Sequence, residues 1–211
     1  MHTEHCRTIH EVVARLPLLN GHDIDQAPAN GIYFMYEKGQ RYVSGVEGTS
    51  RIVAIGINPT QNQLRQRLHK HLQGTKKVSV FRLYVGTALL ERDGDPESVR
   101  WEWFGNRSVM PEVEQRVTAY LAKHITVRCV VVDNRLLRER LQKRLIGTLA
   151  NCSGCCPCDD WLGLYALDRN VKKLGLWINY YESSRQDLDE FGIQILRELV
   201  NQHVNGSAHG A

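Results

Sequence analysis

Two short apolar segments, residues 31–36 and 51–56, constrain the fold of this chain more than any other feature. Each is too short for a buried helix and is rich in strand-forming residues, and turn-forming residues across 39–50 separate them. That pattern predicts an antiparallel strand pair. The second segment is nearly all apolar, which predicts a central strand. A leucine stripe follows at Leu64, Leu68 and Leu72, the four-residue repeat of a helix with one buried face. Asn58-Pro59 is the expected opening of that helix, with Asn as cap and Pro in the first turn.

Elsewhere the periodicity predicts helices over 5–19, after Pro111, over 135–149 and over 187–204. Strands are expected over 126–132 and 174–181, while 81–90 suits either a strand or a helix. The fold class is therefore α+β, a small antiparallel or mixed sheet flanked by helices. The expected organisation is a helical extension over 1–26, one domain over 27–204 and a disordered tail over 205–211. With 211 residues, 42% of them hydrophobic, a core can be buried without disulfide staples. No run of 18 apolar residues is present, and residues 1–15 are polar, so no membrane partner and a cytoplasmic location are expected.

The formal charge of +4 is modest, but its distribution is not even. Residues 65–77 hold five Lys/Arg and two His with no acid, and residues 135–144 hold four Arg and one Lys against Glu139 alone. An unrelieved basic run favours a polyanionic counterpart. Arg65, Lys70, Lys76 and Lys77 are the candidate nucleic-acid contacts. Four of the six cysteines, Cys152, Cys155, Cys156 and Cys158, fall within seven residues. They could hold Zn²⁺, although structural zinc sites draw ligands from separated pairs; the plain alternative is a loop of reduced thiols.

Gly31-Ile32-Tyr33, Ala54-Ile55-Gly56 and the Leu64-to-Leu68 segment L-x-x-R-L, with His71 one turn on, resemble the GIY-YIG nuclease superfamily. The likeness is to a bacterial, restriction-enzyme-like branch. It implies the GIY-YIG fold and a Mg²⁺-dependent, restriction- or defence-like endonuclease acting on double-stranded DNA. By the family pattern, Tyr33 serves as general base and Arg67 grips the scissile phosphate. His71 orients one of them, and Asn151 matches an asparagine that some members place near the site. Two positions depart from the pattern. Ala54 stands where the second tyrosine belongs, and Gln142 stands where a glutamate holds the metal. Glu139, one turn earlier, is the substitute carboxylate. Three functional readings follow: an endonuclease, a catalytically weakened DNA-binding relative, or an interaction scaffold with basic helices. Without the resemblance, Tyr33 reads as a packed strand tyrosine, and Arg67 with His71 as a solvated helix face.

Overall fold

The computed structural model describes residues 2–45, 48–105, 108–178 and 187–208. Its sheet consists of β1 (Gly31–Arg41), β2 (Ser50–Ile57) and β3 (Ile125–Val131), all antiparallel, in the order β2-β1-β3. The strand pair is as expected, but the central strand is β1, not β2. The apolar β2 lies at the edge and stays dry because other segments cover it. The Trp177 backbone N–H donates to Val53 O at 2.7 Å, and the Gln142 side chain donates to Ile55 O at 3.3 Å. Covering an edge in this way satisfies its backbone groups without another strand.

The helices are α1 (His2–Ala14), α2 (Leu64–Leu72), α3 (Val80–Arg92), α4 (Glu97–Gly105), α5 (Pro111–His124), α6 (Arg135–Ala150), α7 (Arg169–Leu174) and α8 (Glu190–Ala208). Strand alternation divides the core in two. Tyr33, Met35 and Ala54 face a cluster built with α2, α3 and α5. Ile32, Phe34, Ile55 and Ile57 face a second cluster built with α1, α6 and α8. The molecule is thus a helix–sheet–helix sandwich. Residues 81–90 resolve as helix, capped by Ser79, whose hydroxyl oxygen accepts from Arg82 N.

Three expectations need correction. Helix α2 starts at Leu64, not at Asn58, because Asn58 is buried and engaged elsewhere. Its Oδ1 accepts from Gly31 N at 3.0 Å, and its Nδ2 donates to Asn30 Oδ1 and Thr60 O. Asn62 then turns the chain in the left-handed region (φ 60°), which Asn tolerates better than most side chains. Leu64 N bonds Ala29 O, so this network aims α2 across β1. Residues 174–178 are not a strand. Helix α7 ends at Leu174, Gly175 closes it at φ 65°, and Trp177 makes one backbone bond to β2; residues 179–181 lie outside the described residues. Finally, α8 runs to Ala208, four residues into the expected tail. Among the described residues, no helix is long and apolar enough to cross a membrane.

Candidate active site

Tyr33 sits mid-strand on β1, opposite Gly56 on β2 and Cys129 on β3. Its phenol lies over Gly56. A Cβ at position 56 would fall 2.1 Å from the phenol oxygen, so only glycine fits there. The phenol thereby reaches across β2 towards α2. Residues Arg67 and His71, four apart on α2, meet it there. His71 Nε2 lies 3.0 Å from the Tyr33 hydroxyl, and Arg67 Nε donates to the same oxygen at 3.4 Å. The other ring nitrogen, His71 Nδ1, is 2.7 Å from Ser79 Oγ, and Phe81 packs edge-on against the imidazole.

The end of α2 is held from behind. Arg82 is fully buried, donates to the Leu72 carbonyl at 3.1 Å and pairs with Glu114 at 2.9 Å. That anchorage fixes where Arg67 and His71 project. In front, a groove of about 160 Å³ is lined by Pro59, Gln63, Gln66, Arg67, Lys70, His71 and Val78. Of the Arg67 nitrogens, Nε is turned back to Tyr33, while the side chain borders the groove.

Electrostatics follow from burial. Desolvation pushes the His71 imidazolium down to about 3, and the positive charges of Arg67 and Arg82 push the same way, so His71 is neutral at ordinary pH. Burial raises the Tyr33 phenol above its usual value, with Arg67 opposing the rise. Both shifts disfavour moving the phenol proton to that imidazole. His71 therefore serves as a hydrogen-bonding partner of Tyr33, not as its proton acceptor.

The remaining candidates do not join this group. Ala54 is buried opposite Met35, so the position of the second tyrosine is a packed methyl. Gln142 belongs to α6 on the other face of the sheet, but its amide reaches the outer edge of β2 at Ile55, next to Gly56. Glu139 pairs with Arg135 at 2.8 Å on the exposed side of α6. Asn151 caps the far end of α6 and donates to Asp187; nine residues of helix put it roughly 13 Å from Gln142. The divalent ion implied by the resemblance finds no matching donor set. Among the described residues, no three His, Cys, Asp or Glu side chains are placed to hold a metal, and the nearest family position offers a neutral amide.

Two further groups of candidates take up the following positions. Lys76 is not a surface cation. It is buried, its ammonium donates to Trp103 O at 2.5 Å and lies over the Trp103 ring. Arg65 is exposed but tethered to Ala27 O, while Lys70 and Lys77 are exposed. The four clustered cysteines do not converge either. Cys152 and Cys155 turn inward, where Cys155 Sγ lies 3.9 Å from His10 Nε2 and Cys6 Sγ 3.8 Å from His10 Nδ1. Cys156 is exposed and donates to Ser153 O, and the Cys158 backbone N–H bonds Gln40. A Cys-x-x-Cys spacing says nothing about a partner 145 residues away, so Cys6 and His10 were not legible. Gly56 was visible as a motif residue but not as the floor beneath Tyr33, and nothing local marked Ser79.

Comparison with curated proteins and with solved structures finds no match to this chain. A family model does match, over residues 7–205, and its description is "GIY-YIG domain". That span takes in the three-stranded sheet, the Tyr33–Arg67–His71 meeting point and most of α1 and α8. The chain belongs to the GIY-YIG domain family, a nuclease-type family.

Proposed function

We propose that this chain binds a DNA phosphodiester in the α2 groove and hydrolyses it, as an endonuclease, with Tyr33 as general base. One observation carries the reading: Arg67 Nε and His71 Nε2 converge on the hydroxyl of a single tyrosine, and both side chains border a groove together with Lys70. Guanidinium offers a planar fork of donors, so Arg67 can keep Nε on Tyr33 and present its outer nitrogens to phosphate oxygens. Lys70 adds a second positive charge. Water adds to phosphorus, and its proton passes to the Tyr33 phenolate. The bond to the departing sugar oxygen breaks, and that oxygen takes a proton from solvent. Arg67, donating to the phenol oxygen, favours the phenolate that this step needs. Because burial raises the phenol, the rate climbs with pH into the alkaline range.

A second reading rests on Gln142. With an amide in place of the carboxylate, the site grips phosphate without cutting efficiently. Nicking of supercoiled plasmid, with and without Mg²⁺, separates the two. The endonuclease reading expects nicking by the natural sequence and a loss of about 100-fold or more in Tyr33→Phe. Binding without nicking, with activity appearing in Gln142→Glu and dependent on Mg²⁺, supports the second. Loss of nicking in Glu139→Gln would instead place the working carboxylate one turn earlier.

A further inference from the structure

Ser79 lies outside every element of the family pattern quoted above, yet it touches the site at its closest hydrogen bond. Its side chain is buried, and so is that of His71. A serine hydroxyl has one proton to give and two lone pairs to receive with. One lone pair is taken, because the Arg82 backbone N–H donates to Ser79 Oγ at 3.2 Å as the cap of α3. The hydroxyl proton still requires an acceptor, and the group in reach is His71 Nδ1 at 2.7 Å. If Nδ1 carried a proton instead, it would face the oxygen, and the serine proton would be stranded in a dry pocket.

We infer that Ser79 is a positioning residue for Tyr33: by donating to His71 Nδ1 it fixes the proton on Nε2, which then donates to the Tyr33 oxygen. The consequence is directional. The phenol oxygen accepts from His71 Nε2 at 3.0 Å and from Arg67 Nε at 3.4 Å. With both nitrogens donating to the phenol oxygen, neither His71 nor Arg67 accepts the phenol's own proton. Without Ser79, Nδ1 can keep the proton, Nε2 becomes an acceptor, and the phenol proton turns inward to it. The phenol oxygen then loses one of the two donors that would stabilise its phenolate. Because His71 is neutral, its tautomer is a fixed structural choice across ordinary pH.

This inference deepens the proposed nuclease reading, and its decisive test does not depend on activity. Long-range ¹H–¹⁵N correlation of the full chain, with His71 assigned by its loss in His71→Gln, reports which ring nitrogen is protonated. The natural sequence is expected to show a proton on Nε2 and none on Nδ1. Ser79→Ala should move His71 towards the other tautomer, and Ser79→Thr, which keeps both hydroxyl and cap, should restore the natural pattern. A proton on Nδ1 in the natural sequence overturns the inference, as does an unchanged pattern in folded Ser79→Ala. Should Ser79→Ala fail to fold, the natural sequence and Ser79→Thr still decide. On nicking, Ser79→Ala should lose kcat about tenfold with KM unchanged and shift the alkaline limb of the rate to higher pH. If the natural sequence does not nick at all, the nuclease reading fails while the tautomer result stands by itself.

Discussion

On α2, the positive side chains Arg67 and Lys70 border a groove, and Arg67 gives one nitrogen to the tyrosine behind it. On α6, a run of similar charge is turned to internal use. Arg138 is fully buried and donates to Val132 O, Asp133 O and Gln61, Arg135 pairs with Glu139, and Arg144 pairs with Asp189. The two helices occupy opposite faces of one sheet. Their contrast shows that a basic run measures how much charge a segment carries, not how much it can offer a ligand. Availability is set by which carbonyls and carboxylates the fold brings alongside.

The sharpest way to break this contrast is to remove one arginine from each helix. Arg138→Ala removes a fully buried side chain and leaves the buried Val132 carbonyl and the part-buried contacts to Asp133 and Gln61 without their donor, so stability should fall by roughly 3 kcal/mol, or about 10 °C in Tm. Arg67→Ala should leave Tm nearly unchanged. A calorimetric scan in which the two variants lose equal stability would erase the distinction.

Acid separates the helices next, because the inward group of α2 titrates and that of α6 does not. In the unfolded chain the His71 imidazole takes a proton near 6.5, but in the fold not until about 3. The unfolded state therefore binds the proton first as pH falls. The contribution is complete above about 6.5 and is lost progressively on the way down to about 3. Between pH 6.5 and 4.5 the natural sequence should lose about 2 kcal/mol more than His71→Gln. Denaturant melts of both proteins at the two pH values read this directly, and parallel losses would contradict the buried neutral imidazole.

Binding gives a smaller effect. Arg67→Ala should weaken duplex DNA binding at low salt by about 1–3 kcal/mol, through loss of a charge-assisted phosphate contact. Fluorescence anisotropy showing unaltered affinity would detach α2 from the substrate. The smallest effect is in the salt dependence. Lys70→Ala should reduce the slope of log affinity against log salt by about one, and Arg140→Ala, on the exposed side of α6, should leave it unchanged. Reversed slopes would move the DNA to the other face of the sheet.

The comparison also marks how far local chemistry reaches. The strand-forming content of residues 31–36 and 51–56, the leucine stripe of α2 and the four-residue spacing of Arg67 and His71 are short-range patterns, and each is realised as strand, helix or shared face. The family motif added the meeting of Tyr33 with that helix. What the sequence alone did not settle is where each polar group finds its partner. Asn58 looks like a helix cap and instead holds Gly31, delaying α2 by a turn and a half. Lys76 looks like a surface cation and is buried on Trp103. Cys152 and Cys155 look like half a metal site and face Cys6 and His10 of α1. Ser79 looks like an ordinary cap and lies against His71. In most of these pairs the partners are distant in the chain, and even the close pair, Ser79 and His71, meets only because α2 and α3 pack together. Periodicity determines which side chains share a face because backbone geometry is local; the fate of each buried donor, acceptor and charge depends on groups that only packing brings within hydrogen-bonding distance.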